Sequence, residues 1–365
     1  MAIHIGNFEI CSYRGMKDLK LEKLNDINIL TGDNNSGKTS VLELLYTTTN
    51  PGDIKKWYLG TRISNNVRNR RIYEGFYNMF PVDDEEKVIQ YRFEDGENKS
   101  NEVSIYADMA NVEVSEREMY KFNGLSKAGS RRNAEDDEMV DSLCMTLRMF
   151  LNGQEEGAYD IYDFQTRMYP MLLKKTKYWK AVYNSPVSYL QQELELSEIL
   201  EDPELYEELI SILKEFDEHI INVNAISPKD FRVAPNYMIL TDNHKKALPL
   251  NVYGDGMKKA LSLLCSVIRA KGGILLLDEF ETAIHTSAMD SIFSWLLQSA
   301  MKMDVQVFLT SHSKEAIDKV LKSKSELQSH INVYTLYNYQ GHNYVRRMAC
   351  EEAINAQDDL GVDLR

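Results

Sequence analysis

The sequence predicts an α/β fold whose parallel strands end in ligand-binding loops, and three segments carry that prediction. The run Ile27-Asn28-Ile29-Leu30 leads into Gly32-Asp33-Asn34-Asn35-Ser36-Gly37-Lys38-Thr39, a glycine-rich loop of the kind that cradles phosphates. The run Gly273-Ile274-Leu275-Leu276-Leu277 ends in Asp278-Glu279, and Val305-Gln306-Val307-Phe308-Leu309 ends in Thr310-Ser311-His312-Ser313. Short uninterrupted apolar runs suit strands covered on both faces, and α/β sheets bind ligands at the carboxyl ends of such strands.

Taken in order, the alternation of Ile3 to Ile10 and the stretch Leu19 to Leu24 read as strands ahead of the loop strand. A helix starts near Ser40 with Val41, Leu42, Leu44 and Leu45, and Asn50-Pro51-Gly52-Asp53 breaks the chain after it. Val88 to Phe93 and Val103 to Tyr106, either side of Asp95-Gly96-Glu97-Asn98, suit an antiparallel flank. From about Arg117 to Val223 the pattern reads as mostly helical. There Asp202 caps a helix, Pro203 occupies its first turn, and Leu205, Leu209, Leu213, Phe216 and Ile220 form one stripe. Gly124, Gly129 and Ser130, followed by Glu135-Asp136-Asp137-Glu138, read as an exposed loop. Tyr253-Gly254-Asp255-Gly256-Met257-Lys258-Lys259 opens a helix through Ala260, Leu261, Leu263, Leu264 and Val267. After His312 come a helix, a strand at Ile331 to Leu336, a hairpin through Gly341 and an acidic tail.

The chemistry follows from charge. Backbone N-H groups wrapped around Gly32 and Gly37 bind a triphosphate without side-chain bulk, and the helix beyond points its positive end at the anion. Lys38 reaches the β and γ phosphates on this reading, and the Thr39 hydroxyl and Asp278 hold Mg²⁺. Glu279 is placed to polarise the attacking water, the need that remains once phosphates and metal are fixed. His312, at the same sheet edge, is within reach of the γ-phosphate or that water. The second glycine pair, Gly254 and Gly256, makes another anion-binding helix start. One loop already cradles the phosphates, so the second is expected to cap nucleotide held by another subunit.

Composition fits these expectations. The 365 residues are 43% hydrophobic and 27% charged, which suits a globular chain with a sizeable core. No apolar run approaches the roughly 20 residues of a membrane span, and the first residues lack the pattern of a signal peptide. Cys11, Cys144, Cys265 and Cys350 have no metal-ligand spacing and fit a reducing cytoplasm. A net charge of -14 restricts any nucleic-acid contact to a local patch. Arg62, Arg68, Arg70 and Arg71 form one candidate, and Lys127, Arg131 and Arg132 another, although solvated loops explain both.

The order of phosphate loop, glycine signature, Asp-Glu strand and Ser-His strand resembles the ABC class of ATPases. Within it, the chain is similar to the branch containing the OLD-like (overcoming lysogenization defect), RecF-like and SMC-like ATPases. Phe8 to Leu45, Tyr253 to Leu264, Leu275 to His285 and Val305 to Ile317 carry the likeness. The resemblance implies two ATPase heads that sandwich ATP and Mg²⁺, each signature contacting the γ-phosphate held by the other head. Gly254, Asp255, Gly256 and Lys259 are then the trans signature, and His312 the switch histidine. Thr282-Ala283-Ile284-His285 is the loop by which heads sense each other, chiefly through Ala283 and His285. Arg14 matches a position that touches nucleotide phosphates, beside the loop residues Gly32 to Ser40. Two positions depart from the pattern: the signature is G-D-G-M-K-K, and Phe280 replaces the usual proline.

On this resemblance, 1–110 is the first part of an ATPase head, 111–225 a mostly helical insertion serving as lid or partner site, and 226–365 the rest of the head. OLD-type nucleases carry a Toprim domain of about 100 residues or more, and the stretch after His312 is shorter. The expected function is therefore that of a cytoplasmic ATPase that pairs with itself and scaffolds or senses for a separate nuclease or toxin in prokaryotic anti-phage defence. The alternative is a RecF-like repair ATPase that clamps DNA, which the acidic charge disfavours. A small-molecule kinase leaves the second glycine signature without a role.

Overall fold

The computed structural model of the chain describes residues 3–63, 71–82, 84–122, 138–166, 178–188, 196–226, 236–359 and 361–364. It begins with an antiparallel hairpin, β1 (Ile5–Tyr13) and β2 (Met16–Leu21), and continues into β3 (Ile27–Thr31) and helix α1 (Lys38–Thr47). β4 (Val88–Asp95), β5 (Ser100–Ser115), β6 (Met139–Leu151) and β7 (Gln154–Tyr162) then join the first hairpin in a six-stranded sheet of order β2-β1-β4-β5-β6-β7. Its neighbouring strands pair antiparallel throughout, as expected of the flank.

β8 (Lys180–Asn184) leads to helix α2 (Pro203–Lys214) and a small sheet of β9 (Ile220–Ile226), β10 (Asn236–Thr241) and β11 (Leu248–Pro249). Helix α3 (Asp255–Arg269), β12 (Gly273–Leu277), helix α4 (Thr286–Lys302), β13 (Gln306–Thr310) and helix α5 (Lys314–Leu321) follow. The chain continues with β14 (Ile331–Tyr339), β15 (His342–Ala349) and helix α6 (Cys350–Asp358), the last lying in the expected acidic tail.

The central sheet has the order β15-β14-β3-β13-β12-β8. β3 pairs in parallel with β13 and β14, and β12 with β13 and β8, whereas β15 runs antiparallel at the edge. Its apolar runs are uninterrupted because both faces are covered. Ile29, Leu275, Leu277, Val307 and Leu309 face one core, which also takes Leu261 and Leu264 of α3. Leu30, Ile274, Leu276 and Phe308 face a second core with Val41 and Leu45 of α1 and with Phe8, Tyr91 and Phe93 of the antiparallel sheet. All five residues of β3, β12 and β13 are buried.

The stretch 117–223 departs from the mostly helical expectation. Helix holds in short runs at Glu116–Phe122 and Ser197–Glu201 and in α2, where the Asp202 carboxylate accepts from the N-H groups of Glu204 and Leu205. β6, however, is strand despite helix-favouring Leu and Met, because it pairs with β5 from Leu151↔Val103 to Met139↔Ser115. Its buried residues Met145, Leu147, Met149 and Leu151 show where a period of two emerges. Phe216 and Ile220 lie beyond α2, and Ile220 starts β9. The Gly124, Gly129 and Ser130 loop and Glu135 to Asp137 lie outside the described residues.

Candidate functional site

β3 delivers the phosphate loop to the sheet's carboxyl edge, where two glycines are indispensable. Gly32 sits at φ 129°, and a Cβ there would stand 2.0 Å from the Leu336 carbonyl oxygen. Gly37 precedes α1 at φ 100°, with Met16 Sδ 2.5 Å from where its Cβ would be. Asn35 also lies at positive φ, and Asp33, Asn34 and Asn35 are exposed. No side chain caps α1 and no acid stands in its first turn, so its first N-H groups remain for an anion. The Lys38 ammonium donates to the carbonyls of Gly32 at 2.6 Å and Asp33 at 2.9 Å, bent over its own loop. Burial lowers its pKa, opposed by the charges of Asp278, Asp33 and Glu279.

Asp278 is 6% exposed and accepts from three hydroxyls. Thr39 Oγ1 lies 3.2 and 3.1 Å from its two oxygens, Thr310 Oγ1 donates at 2.6 Å and the Tyr183 hydroxyl at 3.0 Å. Oxygen donors so placed fit Mg²⁺, which keeps several waters and takes phosphate oxygens. Among the described residues no three His, Cys, Asp or Glu side chains cluster to form an all-protein metal site. Tyr183 escapes detection in the sequence because β8 carries no distinctive apolar run. Burial first, and then the Asp278 charge, push its pKa far up, so it stays a donor.

Glu279 adopts φ 44°, rare for a residue with a side chain, and its N-H donates to Thr310 Oγ1 at 2.8 Å. Thr310 thus joins both acids through one hydroxyl. Glu279 Oε1 stands 3.9 Å from His312 Nε2. Phe280, at the usual proline position, donates its N-H to the Thr310 carbonyl at 3.3 Å and packs on Phe293 with ring centroids 4.7 Å apart. A proline there has no such donor.

On α1 itself, Glu43 is 3% exposed and organises two arginines. Arg62 Nε donates to Glu43 Oε1 at 2.6 Å and Arg62 Nη2 to Ser40 Oγ at 2.9 Å. Arg14 donates to the Gly60 carbonyl and stands 3.6 Å from Glu43. Arg62, read as part of a basic loop, is therefore held against the helix of the phosphate loop. Arg71 pairs with Glu74, while Arg68, Arg70, Lys127, Arg131 and Arg132 lie outside the described residues.

A cleft of about 620 Å³ brings together most of the expected residues: Arg14, the loop from Asn34 to Ser40, Glu279 and His312. Arg62, Asn338 and Asn343 also line it, the last two from the β14–β15 hairpin. The signature does not line it. Gly254 and Asp255 are exposed at the start of α3, and Ala283 and His285 are exposed on the loop after β12, His285 capping α4. Lys259, expected with the signature, is instead 0% exposed. It falls on the inner side of the amphipathic α3, among Met257, Ala260 and Leu263.

A triphosphate loop, a paired threonine and aspartate, and a glutamate beside a histidine at one parallel-sheet edge define a P-loop ATPase. The chain belongs to the family described as "AAA domain, putative AbiEii toxin, Type IV TA system", whose model matches residues 27–318. It is 24% identical over 352 residues to an ATP/GTP phosphatase of Helicobacter pylori, covering 88% of this chain and 89% of that protein. An uncharacterized protein of Methanocaldococcus jannaschii is 36% identical over 117 residues, 31% of this chain and 98% of that one. Among solved structures, an SMC head bound to the C-winged helix domain of ScpA superposes with a TM-score of 0.50 at 11% identity, covering 97% of this chain and 100% of that one. That likeness shows the fold, an ATPase head of mixed α/β type.

Proposed function

We propose that this ATPase closes on a second copy of itself around ATP and Mg²⁺, and acts as a regulatory scaffold or sensor for a separate nuclease or toxin in prokaryotic anti-phage defence. The observation that carries the paired arrangement is the separation of Gly254 and Asp255 from the cleft holding Lys38, Glu279 and His312. An exposed helix start set apart from the cleft of its own chain suits a nucleotide held opposite. The toxin–antitoxin association in the family's description favours an effector partner over DNA repair, as does the net charge of -14.

In this reading the loop N-H groups and Lys38 bind the β and γ phosphates, and Ser40, Arg62 and Arg14 meet the phosphate nearer the sugar. Thr39 and Asp278 would hold Mg²⁺, which would supply charge neutralisation for the phosphates. Glu279 takes a proton from the attacking water, and His312 orients the γ-phosphate. The OLD-like branch and a cytoplasmic site complete the reading. Among the described residues, no helix is long and apolar enough to cross a membrane.

Glu279→Gln tests it. Turnover should fall by about 100-fold or more as the base is lost, while ATP is retained and light scattering shows a dimer only with nucleotide. A variant that hydrolyses ATP normally would remove Glu279 from this role, and one that stays monomeric with ATP would remove the sandwich. Salt-sensitive, ATP-dependent DNA binding would favour the repair alternative.

A further inference from the structure

Glu281 lies between the acidic pair and the inter-head loop, and the reading above gives it no part. Its Oε1 accepts from Ser311 Oγ at 2.8 Å and from the His312 N-H at 3.1 Å, so one carboxylate holds the turn that carries the histidine. Glu281 Oε2 is buried and accepts no hydrogen bond among the described residues. An uncompensated buried carboxylate oxygen is costly unless a positive charge lies near.

On helix α3 the fully buried Lys259 is a cation on which the charge of Glu281 acts. Burial pushes the Lys259 pKa down to about 8, and of the charges that oppose the shift Glu281 is the strongest, ahead of Asp278 and Glu279. One turn earlier on the same helix, a Cβ on Gly256 would lie 3.1 Å from the Ala283 carbonyl oxygen. The start of α3, the loop from Glu279 to His285 and the His312 turn are therefore in register around Glu281.

We propose that Glu281 is a positioning residue that, through Lys259, couples the glycine signature at the start of α3 to His312 of the same chain. The inference rests on the two-headed reading. The signature serves the partner's nucleotide and His312 serves the chain's own, so a link inside one chain connects the two sites. A shift of α3 on engaging the partner's γ-phosphate moves the charge that Glu281 faces, and Glu281 carries the His312 N-H with it.

The test is a mutant cycle on the full chain, reading kcat and KM for ATP with melting temperature alongside. Glu281→Gln keeps an acceptor for Ser311 and His312 but removes the charge toward Lys259, and Lys259→Met removes the other side. Each single change should lower kcat about tenfold with KM within about twofold, and the double variant should be no slower than the slower single. Losses that multiply to about a hundredfold, or kcat within about twofold of the parent in Glu281→Gln, would overturn the coupling. So would KM rising in step with a falling melting temperature, the mark of a merely structural role. Failure of the two-headed reading shows separately, as Glu279→Gln remaining monomeric with ATP.

Discussion

The Tyr183 hydroxyl donates to Asp278 Oδ2 at 3.0 Å, tying the outermost parallel strand of the central sheet to the acid that faces Thr39. Asp278 has no freedom to swing while Tyr183, Thr39 and Thr310 all hold it. Tyr183→Phe removes a bond to a buried carboxylate and should cost about 1.5–3 kcal/mol of stability in urea denaturation. Turnover at limiting Mg²⁺ should fall, with ATP binding in chelator unchanged. Unchanged stability would mean that the hydroxyl contributes nothing to holding the acid.

Arg62 and Glu43 make a second testable pair. Glu43 is buried beneath a half-exposed arginine, so Arg62→Met leaves it only Tyr13, at 3.0 Å, and Arg14. A loss of about 1–3 kcal/mol is expected, together with weaker nucleotide binding measured by fluorescence titration. Full affinity in the variant would place Arg62 outside the ligand's reach.

Lys259 gives a pH signature. Its folded pKa of about 8 lies below the ordinary lysine value. Between the two, the unfolded chain binds more protons, so the residue's contribution to stability rises as pH rises through that window. The stability difference between the parent and Lys259→Met should therefore grow in the parent's favour above pH 8, by at most about 1.4 kcal/mol per pH unit. Groups common to both proteins cancel. A flat difference in urea titrations across this range would contradict the buried, depressed lysine.

Two glycines should behave oppositely. Gly32→Ala places a methyl against the Leu336 carbonyl at a φ unsuited to alanine, and should abolish nucleotide binding and cut stability by several kcal/mol. Gly254 has φ -64°, and a methyl there would meet nothing within 4 Å, so Gly254→Ala should melt like the parent. If its open surface meets a second head, the same variant loses ATP-driven dimerisation. Normal dimerisation in Gly254→Ala would separate the signature from that contact.

The parallel core and the acidic edge were legible in the sequence because both depend on local pattern. Ile27 to Leu30, Gly273 to Leu277 and Val305 to Leu309 announce buried strands by unbroken apolarity, and the loop residues Gly32 to Thr39 by their chemistry. What stayed hidden depends on distant partners. β6 is strand because β5 lies beside it, whereas its own Met and Leu content favours helix. Tyr183 and Arg62 gain their places from Asp278 and Glu43, which lie 95 and 19 positions away. Lys259 follows the inner face of α3, so it is buried rather than exposed with Gly254 and Asp255, and nothing in the glycine signature announces that.

The pairing of β3 with β13 and β14 fixes an order of events during synthesis. Ile27 meets Val307 and Ile331, partners made roughly 15 to 60 s later at ribosomal speeds. The phosphate loop is thus made well before either strand that flanks β3 in the central sheet. A nascent chain therefore carries an open hydrophobic edge and no competent nucleotide pocket. Long-range parallel pairing of this kind is slow to form, and until it forms the apolar edge of β3 stays open to other chains.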